Sequence, residues 1–164
     1  MSIIFPATVF IGSIVMLVWL RRGAFFVPTK RRYVPRIIAL LSPKQGEKIA
    51  DLGSGDGRLL FAFAGAGAEA HGYEHNPLLV ARSRTLSRRH GLDGRVFVHM
   101  ENFWNVDLSS FDGIVIYGIP YIMPRLEKKL RAELRPGARV VSLAFQFPNW
   151  PLSAKEKGIY LYER

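Results

Sequence analysis

The stretch Asp51-Leu52-Gly53-Ser54-Gly55-Asp56-Gly57-Arg58 lies between the apolar residues Ile49-Ala50 and the apolar run Leu59-Leu60-Phe61-Ala62-Phe63-Ala64. That order reads as a buried strand, a tight glycine turn and the start of a helix. Glycines take positive φ and let backbone approach a ligand closely, and the free N–H groups of the new helix end face whatever binds there. The spacing narrows the ligand. A dinucleotide fingerprint with Gly53 and Gly55 as its first glycines needs a third at position 58, where Arg58 stands; the third glycine is Gly57. A phosphate-binding P-loop needs Gly-Lys-Ser/Thr after the glycines, and none follows. What remains is acid-x-Gly-x-Gly-x-Gly. Its acid, Asp51, either caps the turn or sits buried at a strand end, where it needs donors or a cation. Glu74, about twenty residues beyond the turn, is either a solvated acid or a carboxylate that accepts both hydroxyls of a ribose.

These residues must be positioned by the elements around them. A helix is expected from Tyr33 to Leu41, ended by Ser42-Pro43-Lys44-Gln45-Gly46, and the first strand begins near Lys48. The helix after the glycine turn runs to about Ala66, and Glu69 to Glu74 supplies the second strand. Asn76-Pro77 then opens a basic helix through His90. Further strands are expected at Arg95 to Met100, Gly113 to Tyr117 and Ala138 to Phe145, with a charged helix from Met123 to Leu134 turning Leu126, Leu130 and Leu134 inward. The alternation predicts an α/β fold with a doubly wound parallel sheet, whose ligand crevice lies beyond the carboxyl ends of the strands. Only Gly158 to Glu163 is left for the far edge, so one further strand is expected there and the sheet is expected to be abbreviated. The crevice collects Asn102 and Phe103 after the third strand, and Tyr117, Pro120 and Tyr121 after the fourth. Tyr117, Tyr121, Phe145, Phe147 and Trp150 either form an aromatic pocket or fill the core. His71, His75, His90 and His99 are isolated and read as surface or satisfied residues, and no metal-ligand spacing is present.

The 164 residues give room for one core, and the 49% apolar content fills it. Absence of Cys excludes disulfides, thiolate metal sites and Cys nucleophiles. A net charge of +10 fits either an anionic partner or a solvated surface. The opening run, residues 2–20, is uncharged and long enough to cross a bilayer as a helix; the alternative, a buried core helix, is usually shorter. Its charges, Arg21 and Arg22, follow it, unlike a cleaved signal peptide. Lys/Arg at 21, 22, 30, 31, 32, 36 and 44 all precede the first acid, Glu47, which keeps the C-terminal side cytoplasmic by the positive-inside rule. The expected organisation is therefore a transmembrane anchor at 1–22, a basic linker at 23–34 facing anionic headgroups, and a catalytic domain at 35–164.

The acid-x-Gly-x-Gly-x-Gly turn is the first motif of seven-strand S-adenosylmethionine (AdoMet) methyltransferases with a Rossmann-like sheet. The chain more closely resembles the small membrane-anchored lysine methyltransferases that include the ATP synthase c-subunit and adenine nucleotide translocase enzymes. That resemblance runs from Val27 to Trp150. It rests on Val27-Pro28-Thr29, the glycine turn, Gly72-Tyr73-Glu74-His75-Asn76-Pro77, Asn102-Phe103-Trp104, Tyr117-Gly118-Ile119-Pro120, Leu126-Glu127-Lys128-Lys129-Leu130 and Phe145-Gln146-Phe147-Pro148-Asn149-Trp150. It implies that Asp51, Gly53, Gly55, Gly57 and Glu74 bind AdoMet and that the segment after the fourth strand meets the substrate. In such enzymes a polar and an apolar residue after the third strand hold adenine, which gives Asn102 and Phe103 that role, or leaves Phe103 in the core. Asn102 stands where an Asp is expected. The substrate implied is a protein lysine, with an ATP synthase c-subunit-like membrane protein as candidate and no nucleic acid. A methyltransferase of a small molecule, lipid or nucleic acid shares the same AdoMet half, and so does a noncatalytic AdoMet-binding membrane module. The missing Asn/Asp-Pro-Pro-Tyr/Phe after the fourth strand argues against base-amine methylation.

Overall fold

The computed structural model describes residues 28–164. The membrane span expected within residues 1–22 lies outside them, and among the described residues no helix is long and apolar enough to cross a membrane. Seven strands form one mixed sheet in the order β3-β2-β1-β4-β5-β7-β6: β1 (Lys48–Leu52), β2 (Glu69–Glu74), β3 (Val96–Met100), β4 (Gly113–Ile116), β5 (Arg139–Leu143), β6 (Ala154–Glu156) and β7 (Ile159–Glu163). The first five are mutually parallel, so their carboxyl ends share one edge. The order reverses between β1 and β4, the point where open α/β sheets hold ligands.

Helices α1 (Val34–Leu41), α2 (Arg58–Gly65) and α3 (Pro77–Arg89) pack Ile37, Leu41, Leu59, Leu60, Phe63 and Val80 against one face of the sheet. Helix α4 (Met123–Glu133) covers the other face with Met123, Leu126 and Leu130. The central strands read as continuous apolar runs because both faces are covered: Ile49, Ala50, Ile114, Val115, Val140 and Val141 are all fully buried. Pro77 sits in the first turn of α3, where its missing N–H costs nothing, and the Asn76 side chain accepts from Leu78 N at 3.0 Å to cap it.

One expectation changes. The far edge of the sheet is not abbreviated, because Ala154–Glu156 forms β6 and pairs with β7 as a hairpin. Its turn is Lys157-Gly158, both with positive φ, 43° and 81°, the two-residue geometry whose twist matches antiparallel strands. Before α1, Arg31–Tyr33 makes a short 3₁₀ turn that runs directly into the helix. His71 and His99 take the satisfied alternative. Parallel register sets His71 beside Phe97 and Tyr73 beside His99. The two imidazoles stack, with His71 Nδ1 and His99 Nε2 at 3.2 Å and His71 Nε2 on the Glu69 carboxylate at 2.8 Å.

Candidate functional site

Beyond β1 the chain turns through Gly53, Gly55 and Gly57 at φ 92°, 55° and 81°, all in the left-handed region that side chains rarely adopt. The turn is fixed to the neighbouring strand: Gly53 N and Ser54 N both donate to the Tyr73 carbonyl, at 2.9 and 3.2 Å. Close packing adds a second demand. A Cβ on Gly57 would lie 2.1 Å from Ser83 Oγ, and one on Gly72 would lie 2.5 Å from both Leu60 and Ser54.

Glu74, the last residue of β2, is 6% exposed. One carboxylate oxygen accepts from Gly55 N at 3.0 Å and the other from Asn76 N at 2.8 Å, which aims the group across the glycine turn. The first oxygen keeps a lone pair for a further donor, and His75 Nδ1 lies 3.4 Å from the second. Asp51, 5% exposed, is different. No hydrogen-bond donor among the described residues offsets its burial; burial first, then Glu74 and Asp56, push its carboxyl up to about 7. A buried carboxyl beside two others is a place for a cation.

A cleft opens at this point, lined by Pro28, Thr29, Asp51, Gly53, Asp56, Arg58 and Tyr117. Arg58 organises its rim. Its Nε and one terminal nitrogen donate to the two Asp56 oxygens at 2.9 and 2.6 Å, and its other terminal nitrogen donates to the Thr29 carbonyl at 2.6 Å. The paired charges hold Asp56 below the usual carboxylate range, hydrogen bonding being the main cause. The segment before α1 is thereby clamped over the glycine turn. Sequence reasoning gave Arg58 no role; the signals were its place at the end of the glycine turn and Pro28-Thr29, both within the resemblance.

The remaining candidates divide. Tyr117, 37% exposed, shares the cleft with Asp51 and Gly53, whereas Tyr121 at 78% and Pro120 stand in solvent on the loop beyond β4. Asn102 is half-buried, and its side-chain oxygen accepts from Trp104 N at 3.1 Å, capping the short turn after β3. Phe103, 8% exposed, packs in the core with its ring 5.0 Å from that of Trp104. Phe147 and Trp150 take the core alternative. Both pack on Tyr162, whose hydroxyl accepts from Phe147 N at 3.0 Å, while Trp150 Nε1 donates to the Glu163 carbonyl at 3.1 Å. Their loop is held by Glu127, a buried α4 carboxylate that accepts from Asn149 N at 2.9 Å.

Comparison with known proteins agrees with this geometry. The pattern of the family described as the ANTKMT methyltransferase domain matches residues 51–154. The chain is 43% identical over 125 residues to the ATP synthase c-subunit lysine N-methyltransferase of Rattus norvegicus, covering 76% of this chain and 57% of that protein. It is 39% identical over 141 residues to the adenine nucleotide translocase lysine N-methyltransferase of Mus musculus, covering 85% and 61%. It thus spans little more than half the length of these two relatives. A protein-lysine N-methyltransferase of Saccharolobus islandicus is 31% identical, covering 76% of this chain and 79% of that one. Among solved structures, an RNA methyltransferase from Salinibacter ruber in complex with S-adenosyl-L-homocysteine superposes with a TM-score of 0.77 at 29% identity, covering 84% of this chain and 92% of that one. With the glycine turn, both strand-end carboxylates and most of the sheet inside the matched residues, the chain belongs to the ANTKMT methyltransferase domain family.

Proposed function

We propose that the protein is an AdoMet-dependent protein-lysine N-methyltransferase working at a membrane surface. The observation that carries the cofactor is the pairing at the strand ends. Glu74 is pinned by Gly55 N and Asn76 N, which turns its carboxylate toward the glycine turn to accept from ribose hydroxyls, and Asp51 is buried with no donor among the described residues, where an ammonium group would supply a partner. Gly53, with nothing within 4 Å of where a Cβ would stand, leaves room for the ligand's close approach. When bound, AdoMet supplies a methyl group already activated by its sulfonium. The chain's own task is then to hold an amine in line with that methyl and keep it unprotonated. A free lysine amine has a pKa of about 10.4, and a desolvated aromatic site lowers it. Tyr117 supplies an aromatic wall beside Asp51, and the loop through Pro120 and Tyr121 borders the entrance. Asn102 would reach the adenine end with the side-chain amide that its capping bond leaves over.

The relatives named for methylating the ATP synthase c-subunit and adenine nucleotide translocase support lysine in a membrane protein as the substrate class. The uncharged run 2–20 and the basic residues after it support a single-pass anchor at 1–22, a linker at 23–34 and a cytoplasmic catalytic domain at 35–164. A second reading, transfer to RNA, is favoured by the Salinibacter structure, but at lower identity than the lysine methyltransferases from rat and mouse. Incubating the full chain with methyl-labelled AdoMet and a membrane fraction tests the proposal. Label on lysine in a protein band supports it; label confined to RNA or lipid moves the assignment to the second reading or to a lipid methyltransferase. Tyr117→Ala is expected to lose transfer while AdoMet still binds.

A further inference from the structure

We infer that the carboxyl edge of the sheet, the rim around the Asp51–Tyr117 cleft, docks on an anionic lipid bilayer; this rests on the membrane-surface reading above and names the face presented. Because β1 to β4 are parallel, residues that follow their last positions share one edge. Met100 ends β3, Tyr117 follows β4, Tyr121 stands on the same loop, and Leu78 opens α3 just beyond β2. These are four large apolar side chains left in solvent, at 61%, 37%, 78% and 78% exposure. The remaining exposed large apolar residue among those described, Leu152, precedes β6 and lies away from this edge.

Cations share the rim. The Thr29 carbonyl is fixed to Arg58 at the cleft, so Lys30 and the exposed 3₁₀ turn Arg31–Tyr33 begin at this edge. No carboxylate among the described residues pairs with Lys30, Arg31 or Arg32, and Arg125 lies over the Trp104 ring at 4.2 Å. Glu101 is the acid exposed beside them. The amino edge is arranged differently: there Arg139 pairs with Glu47 and Arg135 with Asp112. What sets the carboxyl rim apart is that Lys30, Arg31 and Arg32 stand without a carboxylate beside four exposed large apolar side chains. A bilayer interface takes both, with apolar and tyrosine side chains below the headgroups and Lys/Arg on the phosphates. Pro28 lines the cleft at this edge, and the sequence before it contains the uncharged run 2–20 followed by Arg21 and Arg22, which favours lipid over a soluble acidic protein as the occupant.

The absence of Cys makes the test clean, since one introduced thiol carries one reporter. An environment-sensitive fluorophore is placed by Tyr121→Cys, Leu78→Cys or, at the amino edge, Lys44→Cys in the full chain, held in nanodiscs of phosphatidylcholine with or without phosphatidylglycerol. The expected result is blue-shifted emission, quenched by brominated lipid, at 121 and 78 but not at 44. The shift should be several-fold larger with phosphatidylglycerol and lost when Arg31→Glu and Arg32→Glu are added. The inference is overturned by emission that stays water-like in both lipids, by a shift already present in detergent micelles, which would put residues 1–27 on the rim, or by a shift that needs an added protein substrate. AdoMet calorimetry on the unlabelled chain keeps the two readings apart. Absent AdoMet binding sinks the proposed function, whereas normal binding with an exposed reporter sinks only the docking.

Discussion

With its carboxyl pushed up to about 7 by burial, and further by Glu74 and Asp56, Asp51 changes protonation near neutrality, and the sign of that change can be measured. Between pH 3.8 and about 7 the folded chain keeps this proton and the unfolded chain has released it, so the ligand-free protein loses stability as pH rises across that window. Asp51→Asn should flatten the slope and stabilise the ligand-free chain at about pH 8 by on the order of a few kcal/mol, read from melting curves between pH 5 and 8. An ammonium partner reverses the preference at Asp51. AdoMet should therefore bind more tightly as pH rises through 7 and release a proton on binding below it, which calorimetry in two buffers of different ionisation enthalpy detects. Glu74 gives a second test. Gln at this position is isosteric but keeps only one acceptor oxygen and no charge, so Glu74→Gln should weaken AdoMet by roughly 2 kcal/mol, about 30-fold. Unchanged affinity would remove Glu74 from the ribose.

At the scale of elements, the glycine turn and α3 are fitted to one another. Ala at Gly57 would have to take φ 81° and place its Cβ 2.1 Å from Ser83 Oγ, so Gly57→Ala should cost about 1–3 kcal/mol. Adding Ser83→Ala should return only the part owed to crowding, since the backbone strain stays; thermal melts of the single and double variants separate the two. Strands and helices that alternate apolar runs with local punctuation, such as Asn76-Pro77 before α3 or the glycines after β1, were legible because their signals lie within a few residues. The β6–β7 hairpin was not. Its turn places Lys157 at a left-handed position where Asn or Asp ordinarily marks such turns, and β6 is a three-residue strand after a proline. Phe147 and Trp150 were ambiguous for a different reason, as their partner Tyr162 comes from β7 on the far side of that hairpin. Tertiary contact, absent from local pattern, sends them to the core.

For the molecule as a whole, the decisive link is between the chain that enters at Pro28 and the glycine turn it covers. Residue types at strand ends could be read for chemistry, but nothing in the sequence ties Arg58 to a carbonyl 29 positions earlier. That contact makes Pro28 and Thr29 walls of the same cleft as Asp51 and Tyr117, so a segment outside the sheet helps shape the candidate cofactor site. Arg58 also holds Asp56, one of the acids that raise Asp51, so the clamp and the protonation of the site are coupled. Replacing Arg58 with Gln removes the charge and the fork while keeping a side chain of similar reach. Each lost hydrogen bond is worth about 1 kcal/mol in a part-exposed setting, which is small against the two cores that hold the sheet. Arg58→Gln should therefore lower melting temperature only slightly, while releasing residues 28–30 to limited proteolysis and weakening AdoMet by about 5- to 30-fold. Arg58→Lys, which keeps charge but cannot hold Asp56 and Thr29 in one planar fork, should fall between the two. If proteolysis and AdoMet affinity both match the unsubstituted chain in Arg58→Gln, the entering segment shapes no part of the site, and the glycine turn stands without it.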